Sequence, residues 1–129
     1  MKKTTATTAV LLVSASFTVV GAGAAQANDR GVVRQGSCTG STHAKIKAKP
    51  DDGRIEVESE IDSNRSGQVW RWTLRHDGRV VSHGRSRTAG RSGSFEVERR
   101  PRDTAGADAF KFRAVNAATG EVCVARVRL

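Results

Sequence analysis

From Ala44 to Val127 the apolar residues recur at every second position in short runs, and turn sequences separate the runs. No window keeps the 3.6-residue period of a helix. Side chains that alternate in this way line opposite faces of a strand, so the chain is confined to sheets with one face buried and the other wet. Seven strands are predicted, over about 42–49, 54–61, 68–76, 79–87, 94–99, 109–116 and 121–128. Short antiparallel strands joined by tight turns bury their apolar faces by stacking one sheet on another. The expected fold is therefore all-β, an antiparallel two-sheet sandwich.

Three hairpins can be read to their register. Pro50-Asp51-Asp52-Gly53 is a turn sequence, and setting Lys49 against Arg54 across it pairs Lys47 with Glu56, Lys45 with Glu58 and His43 with Glu60. The other face of that ribbon carries Ala44, Ile46, Ala48, Ile55 and Val57, so the acidic run Glu56, Glu58, Glu60, Asp62 is its solvated side. Asp77-Gly78 turns the second hairpin and places Leu74 against Val81, Trp72 against His83 and Trp70 against Arg85. Arg71, Thr73 and Arg75 then face solvent. Near Ala117-Ala118-Thr119-Gly120 the third hairpin sets Ala114 opposite Cys123, Phe112 opposite Ala125 and Phe110 opposite Val127. Phe95 and Val97 supply a further inward edge, and every aromatic residue after the N-terminal segment falls on an inward face.

The N-terminal segment reads as an export signal over residues 1–27. Lys2 and Lys3 precede an uncharged apolar run from Ala9 to Val20, and Ala25-Gln26-Ala27 puts small residues where a signal peptidase cuts. A retained anchor is the alternative, against which the shortness of the run and the breaks at Gly21 and Gly23 count. No other run is apolar enough to cross a membrane, so a secreted, extracellular product is expected. Residues 28–37 read as a flexible extension, and 38–129 as the domain. Cys38 and Cys123 are the chain's two cysteines; in an oxidising exterior they are expected to pair and close nearly the whole domain, two free thiols being the alternative.

Length, strand count and a tryptophan on the third strand resemble immunoglobulin-like and fibronectin-type-III-like domains over residues 38–129. The resemblance departs at the cysteines, which join the beginning of the domain to its last strand rather than the second strand to the sixth, and at the tyrosine corner, since the chain has no tyrosine. The chain is also similar to the small exported sandwich proteins of high-GC Gram-positive bacteria. Trp70-Arg71-Trp72 is similar to the Trp-Arg-Tyr segment of exported amylase inhibitors. Alternation, however, puts both tryptophans on one strand face, where core packing is the simpler reading.

Chemistry is sparse. Ser82 and His83 are neighbours on a strand and so point to opposite faces, and no nucleophile motif accompanies them; no enzyme activity is expected. His43, His76 and His83 are too scattered for a metal site, and Asp62-Ser63-Asn64-Arg65-Ser66-Gly67 has Thr73 where a calcium loop needs glutamate. No metal or cofactor is expected. The charge is +9, and loss of Lys2 and Lys3 with the signal lowers it by two. Arginine dominates it, and this excess serves solubility or anionic partners. Arg75, Arg79, Arg99, Arg100 and Arg102 are expected to gather at one end of the sandwich, and Arg85, Arg87 and Arg91 at the other. The larger group is the candidate site for an anionic cell-envelope polymer, with nucleic acid disfavoured because no exposed aromatic is available to stack on bases. The expected function is a non-catalytic binding or interaction module; the alternative is a small proteinaceous inhibitor of a secreted hydrolase, resting on Trp70-Arg71-Trp72.

Overall fold

A computed structural model describes residues 31–129. The export signal read over 1–27 lies outside the described residues. Nine strands follow one another: β1 (Val32–Gln35), β2 (Ser37–Cys38), β3 (His43–Asp51), β4 (Arg54–Asp62), β5 (Val69–His76), β6 (Arg79–Arg87), β7 (Ser94–Arg99), β8 (Ala109–Asn116) and β9 (Val122–Arg128). They form two antiparallel sheets, one in the order β1-β3-β4-β7 and the other in the order β2-β9-β8-β5-β6. All seven predicted strands are present. Among the described residues no helix is long and apolar enough to cross a membrane.

The core lies between the sheets. Ala44, Ile46, Ala48, Ile55, Val57, Ile61 and Val97 face Trp70, Trp72, Leu74, Phe110, Phe112, Ala114, Ala125 and Val127, all of them buried. β3 approaches β9 across the core, where both carry small inward side chains (Ala44 and Ala48, Cys123 and Ala125), and the large rings of β5 and β8 fill the core beside them. Cys38 and Cys123 are bonded and lie opposite each other in the β2–β9 pair. Such a bond belongs to an oxidising environment.

Counting the seven predicted strands, β3 to β9, the second (β4) lies beside the fifth (β7), as in an immunoglobulin domain, whereas the fourth (β6) pairs with the third (β5) in the other sheet instead of edging the first. The segment expected to be a flexible extension over 28–37 is also different in its described part. Val32–Gln35 pairs with Ala48–Lys45 in the first sheet, and Ser37–Cys38 pairs with Val124–Cys123 in the second. The chain changes sheets at Gly36, where a Cβ would stand 2.6 Å from the Val124 carbonyl oxygen and 2.8 Å from the Ala125 methyl. Only glycine fits that crossing.

Two registers are corrected. In the first hairpin Asp51 faces Arg54, so Lys49 pairs with Glu56, Lys47 with Glu58, Lys45 with Glu60 and His43 with Asp62. The turn consists of Asp52 and Gly53 alone, both at positive φ (50° and 77°), the two-residue form whose twist matches the strands it joins. Pro50 therefore sits within β3, and the Ile55 N–H donates to the Pro101 carbonyl (2.9 Å). The slip is two residues, an even number, and the inward face survives it.

This register is testable. Lys45→Glu should cost about 0.5–1 kcal/mol, and Glu60→Lys should recover most of that while Glu58→Lys should not. Denaturation midpoints of the singles and doubles decide it; stronger coupling to position 58 would restore the four-residue turn.

The second hairpin slips by one residue and so changes faces. A bulge between Leu74 and Arg75 lets Val80 face Arg75 but Ser82 face Leu74. Ser82, Gly84 and Ser86 turn toward the core, while His83 and Arg85 turn out. His83 thus does not pack on Trp72; Gly84 does, and a Cβ there would lie 2.9 Å from the indole. The indole N–H of Trp72 donates to Ser86 Oγ (3.0 Å), and the Arg99 guanidinium covers the ring at 5.1 Å. The third hairpin keeps its predicted pairs, Ala114–Cys123, Phe112–Ala125 and Phe110–Val127.

Candidate functional site

The same alternation that sends Trp70, Trp72, Phe110, Phe112 and Val127 inward sends a set of cations to the other side of the five-stranded sheet. β5 presents Arg71 and Arg75, β8 presents Lys111 and Arg113, β9 presents Arg126 and Arg128, and β6 presents His83, Arg85 and Arg87. The register stacks them in rows across the sheet: Arg126, Lys111 and Arg75 lie side by side, as do Arg71 and Arg85. Neither Asp nor Glu occurs in any of these four strands. Among the described residues no ion pair involves a cation of this face.

The opposite sheet is built differently. Lys45 and Lys49 reach Glu60 and Glu56 at 3.8 and 3.9 Å, and β7 adds Glu96 and Glu98 directly beside Glu60 and Glu58. The crowding shows in Glu58: its hydrogen bond to the Glu56 carboxyl, with burial and the charge of Glu96, pushes its carboxyl above the usual range. One outer face thus mixes lysines with a larger number of carboxylates, and the other carries only positive charges.

The five arginines expected to cluster are divided. Arg75 belongs to the basic face, and Arg79 is exposed at the head of β6. Arg99 leaves for the sandwich edge, where Nε donates to Ser82 Oγ (2.9 Å) above Trp72. Arg100 is paired with Asp51 at 3.1 Å, Glu98 at 3.4 Å and Glu56 at 3.8 Å. Arg102 bridges to Arg54 beyond the end of β7. Of the second group, Arg85 and Arg87 join the basic face, and Arg91 lies in the turn before β7. Sequence reading missed Lys111, Arg113, Arg126 and Arg128, although they alternate with the very residues it placed in the core.

Near the Asp77–Gly78 turn the basic face dips. The outward position there is Ala109, opposite Arg128, and two residues along the strand stands Lys111 between Arg126 and Arg75. The result is a hollow of about 460 Å³ lined by these four cations from the sheet and by Arg34 of β1, together with Gly78, Phe110 and Val127. A second hollow of about 410 Å³ at another end is lined by polar side chains already engaged with each other: Thr42 donates to Glu121 through N–H (3.2 Å) and Oγ1 (2.5 Å), and Asn116 Oδ1 accepts from the Ala118 and Thr119 N–H groups.

Groups with metal-ligand chemistry are likewise committed. Arg100 occupies the side of Glu56 and Glu98 that a cation would take. His76 Nε2 lies 2.6 Å from Asp108 Oδ1 with its ring stacked on Phe110 at 4.5 Å, and Asp108 also accepts from Thr104 Oγ1 at 2.6 Å. In Trp70-Arg71-Trp72 both indoles are buried, at 0% and 5% exposure, and Arg71 alone reaches solvent. In comparisons with known proteins, no family model matches the chain, and neither a curated protein nor a solved structure matches it.

Proposed function

We propose that this is an exported, non-catalytic binding module that docks the outer face of its five-stranded sheet on an anionic polymer outside the cell. The observation that carries the reading is the absence of any carboxylate from β5, β6, β8 and β9 while the other sheet pairs its charges. An arginine excess needed only for solubility gains from being interspersed with acids, and a single-sign field is the arrangement that attracts a polyanion. Guanidinium forks on rigid strands hold phosphate or carboxylate groups in two-point contacts. Export agrees with the Cys38–Cys123 bond. The inhibitor reading has less support, because the tryptophans it needs as anchors lie in the core.

Binding to an immobilised anionic polymer should weaken steeply as salt rises. Changing Arg71, Arg113 and Arg126 together to Gln should weaken it about a hundredfold or more, since each charge-assisted contact is worth about 1 kcal/mol or more. Changing Lys45, Lys47 and Lys49 to Gln removes the same charge from the other sheet and should have a several-fold smaller effect. Equal losses from the two triples would mean attraction by net charge alone, and tighter binding to single-stranded DNA than to any extracellular polyanion would assign the face to nucleic acid. Either result would overturn the reading.

A further inference from the structure

Resting on that reading of the outer face, we propose that the hollow over Ala109 is a phosphoryl-binding pocket, and that it makes the domain select phosphate-bearing polymers over carboxylate-bearing ones. Four cations from three adjacent strands surround one small side chain. Neighbouring strands lie about 4.8 Å apart, and successive outward positions on a strand about 6.6 Å apart, so the stems of Arg75, Lys111, Arg126 and Arg128 all start within one side-chain length of the Ala109 methyl. A larger residue at 109 would fill the space they share. Arg75 is also held in place, because its Nη1 donates to the Gly78 carbonyl (3.0 Å) and the remaining guanidinium N–H groups stay open.

The charge count chooses the ligand. A carboxylate brings one negative charge and two coplanar oxygens, which satisfy one arginine fork and leave the other cations facing each other across the hollow. A phosphate monoester brings about −1.5 to −2 and three acceptor oxygens in a tetrahedral array, which several donors can share from different sides. Lys111 serves as the point charge and the arginines as forks. The volume of about 460 Å³ exceeds what a phosphate needs and lies in the range of small-molecule sites. Phe110 and Val127 point into the core, so the apolar floor for the carbon skeleton attached to the phosphate is Ala109 with the stems of the cations around it, and the fitting unit is a sugar phosphate or polyol phosphate at an end or branch of the polymer.

The test uses the disulfide-bonded domain with two probes of equal charge number, inorganic polyphosphate and polyglutamate, titrated by calorimetry at low salt. Polyphosphate should bind about tenfold more tightly or better, which is the preference the pocket adds to the general attraction of the face. Ala109→Leu should bring polyphosphate binding down to the level of polyglutamate and leave polyglutamate unchanged. Residue 109 is exposed on its strand, and thermal unfolding checks that the variant folds; if it does not, Lys111→Gln should lower polyphosphate binding more than polyglutamate binding and so shrink the preference. Equal affinities in the parent protein, or a preference that survives both substitutions, would overturn the pocket and leave the binding face standing. Failure to bind either polymer would overturn the face itself. Self-association at low salt that Glu96→Gln and Glu98→Gln abolish would give the face to the acidic strip of a second copy, and would overturn both.

Discussion

Reduction of the Cys38–Cys123 bond is expected to lower the stability of the domain by about 4–5 kcal/mol, from a total that for a domain of this size is about 5–15 kcal/mol. The two cysteines are separated by 85 residues, so the bond closes nearly the whole domain, and loop-closure entropy in the unfolded chain grows with that length. Besides the bond, the beginning of the chain is tied to the second sheet by the short β2 and by hydrogen bonds of Thr39 and Thr42 with Val122 and Glu121. β2 contributes two residues, Ser37 and Cys38, and β1 four, and the chain between them passes through the narrow crossing at Gly36. Reduction and alkylation removes the cross-link but adds bulk at the fully buried Cys123, so the paired substitution Cys38→Ala with Cys123→Ala is the cleaner comparison. Its denaturant midpoint should fall sharply while the slope rises, because an unlinked unfolded chain exposes more surface. A loss below about 1 kcal/mol would mean that strand pairing alone holds the N-terminal segment in place.

How far the sequence could be read depends on parity. In the third hairpin the inward residues from Phe110 to Ala114 and from Cys123 to Val127 are apolar, and no bulge intervenes, so register and faces both follow from the pattern. In the first, Pro50 suggested a wider turn than the Asp52-Gly53 pair that forms. The slip of two residues changed partners without changing faces, because a strand repeats every two residues. In the second, the bulge at Leu74/Arg75 inserts one residue, and one residue inverts the strand beyond it. Nothing in Arg79-Val80-Val81-Ser82 announces that bulge. Two adjacent valines fit either face, and what selects the observed one is the bulk of Trp72, which leaves room for Gly84 and none for His83.

The candidate site was legible in principle and was missed for a related reason. Strand direction along the chain assigns each arginine to an end of the sandwich, whereas nearness on the face of a sheet comes from register across strands. Arg126, Lys111 and Arg75 are distant in sequence and adjacent in space because two hairpins and the β5–β8 pairing bring them into one row. The β5–β8 pairing is not a hairpin, and no local signal encodes it. Likewise Arg99 and Arg100 look alike in sequence, yet one caps an indole and the other balances carboxylates. Which of these an arginine does depends on the neighbouring strand.

Asp108 is the side chain whose loss should hurt most after the disulfide. It is buried at the head of β8, and its carboxylate accepts from the Thr104 N–H (3.2 Å), the Thr104 hydroxyl (2.6 Å) and His76 Nε2 (2.6 Å), while its backbone exchanges two 2.9 Å hydrogen bonds with Leu129. One residue thereby fastens the loop after β7, the end of β5 and the C-terminus. Burial by itself would raise its pKa; the bonds from Thr104 and His76 outweigh that and hold the carboxyl down at about 2. Asp108→Ala should cost about 3–5 kcal/mol, because the buried His76 ring loses its partner and the loop at Thr104 loses its anchor, and Asp108→Asn, which keeps one acceptor oxygen, should cost less. The sign of the pH dependence follows from the depressed pKa. The carboxylate's contribution is complete above about pH 4, where the unfolded chain is ionised, and is lost as pH falls through 2, an amount of about 2 kcal/mol. Asp103 works the other way. Although Asp103 is exposed, its hydrogen bond to Asp108 and the charge of that carboxylate raise its pKa, so protonating it on acidification returns a little stability and blunts the acid limb. The gap in unfolding free energy between the parent and Asp108→Ala should therefore narrow from pH 6 to pH 2, and Asp103→Ala should steepen the parent's acid loss. A gap that stays constant across that range would show that the ionised carboxylate is not what holds these three segments together.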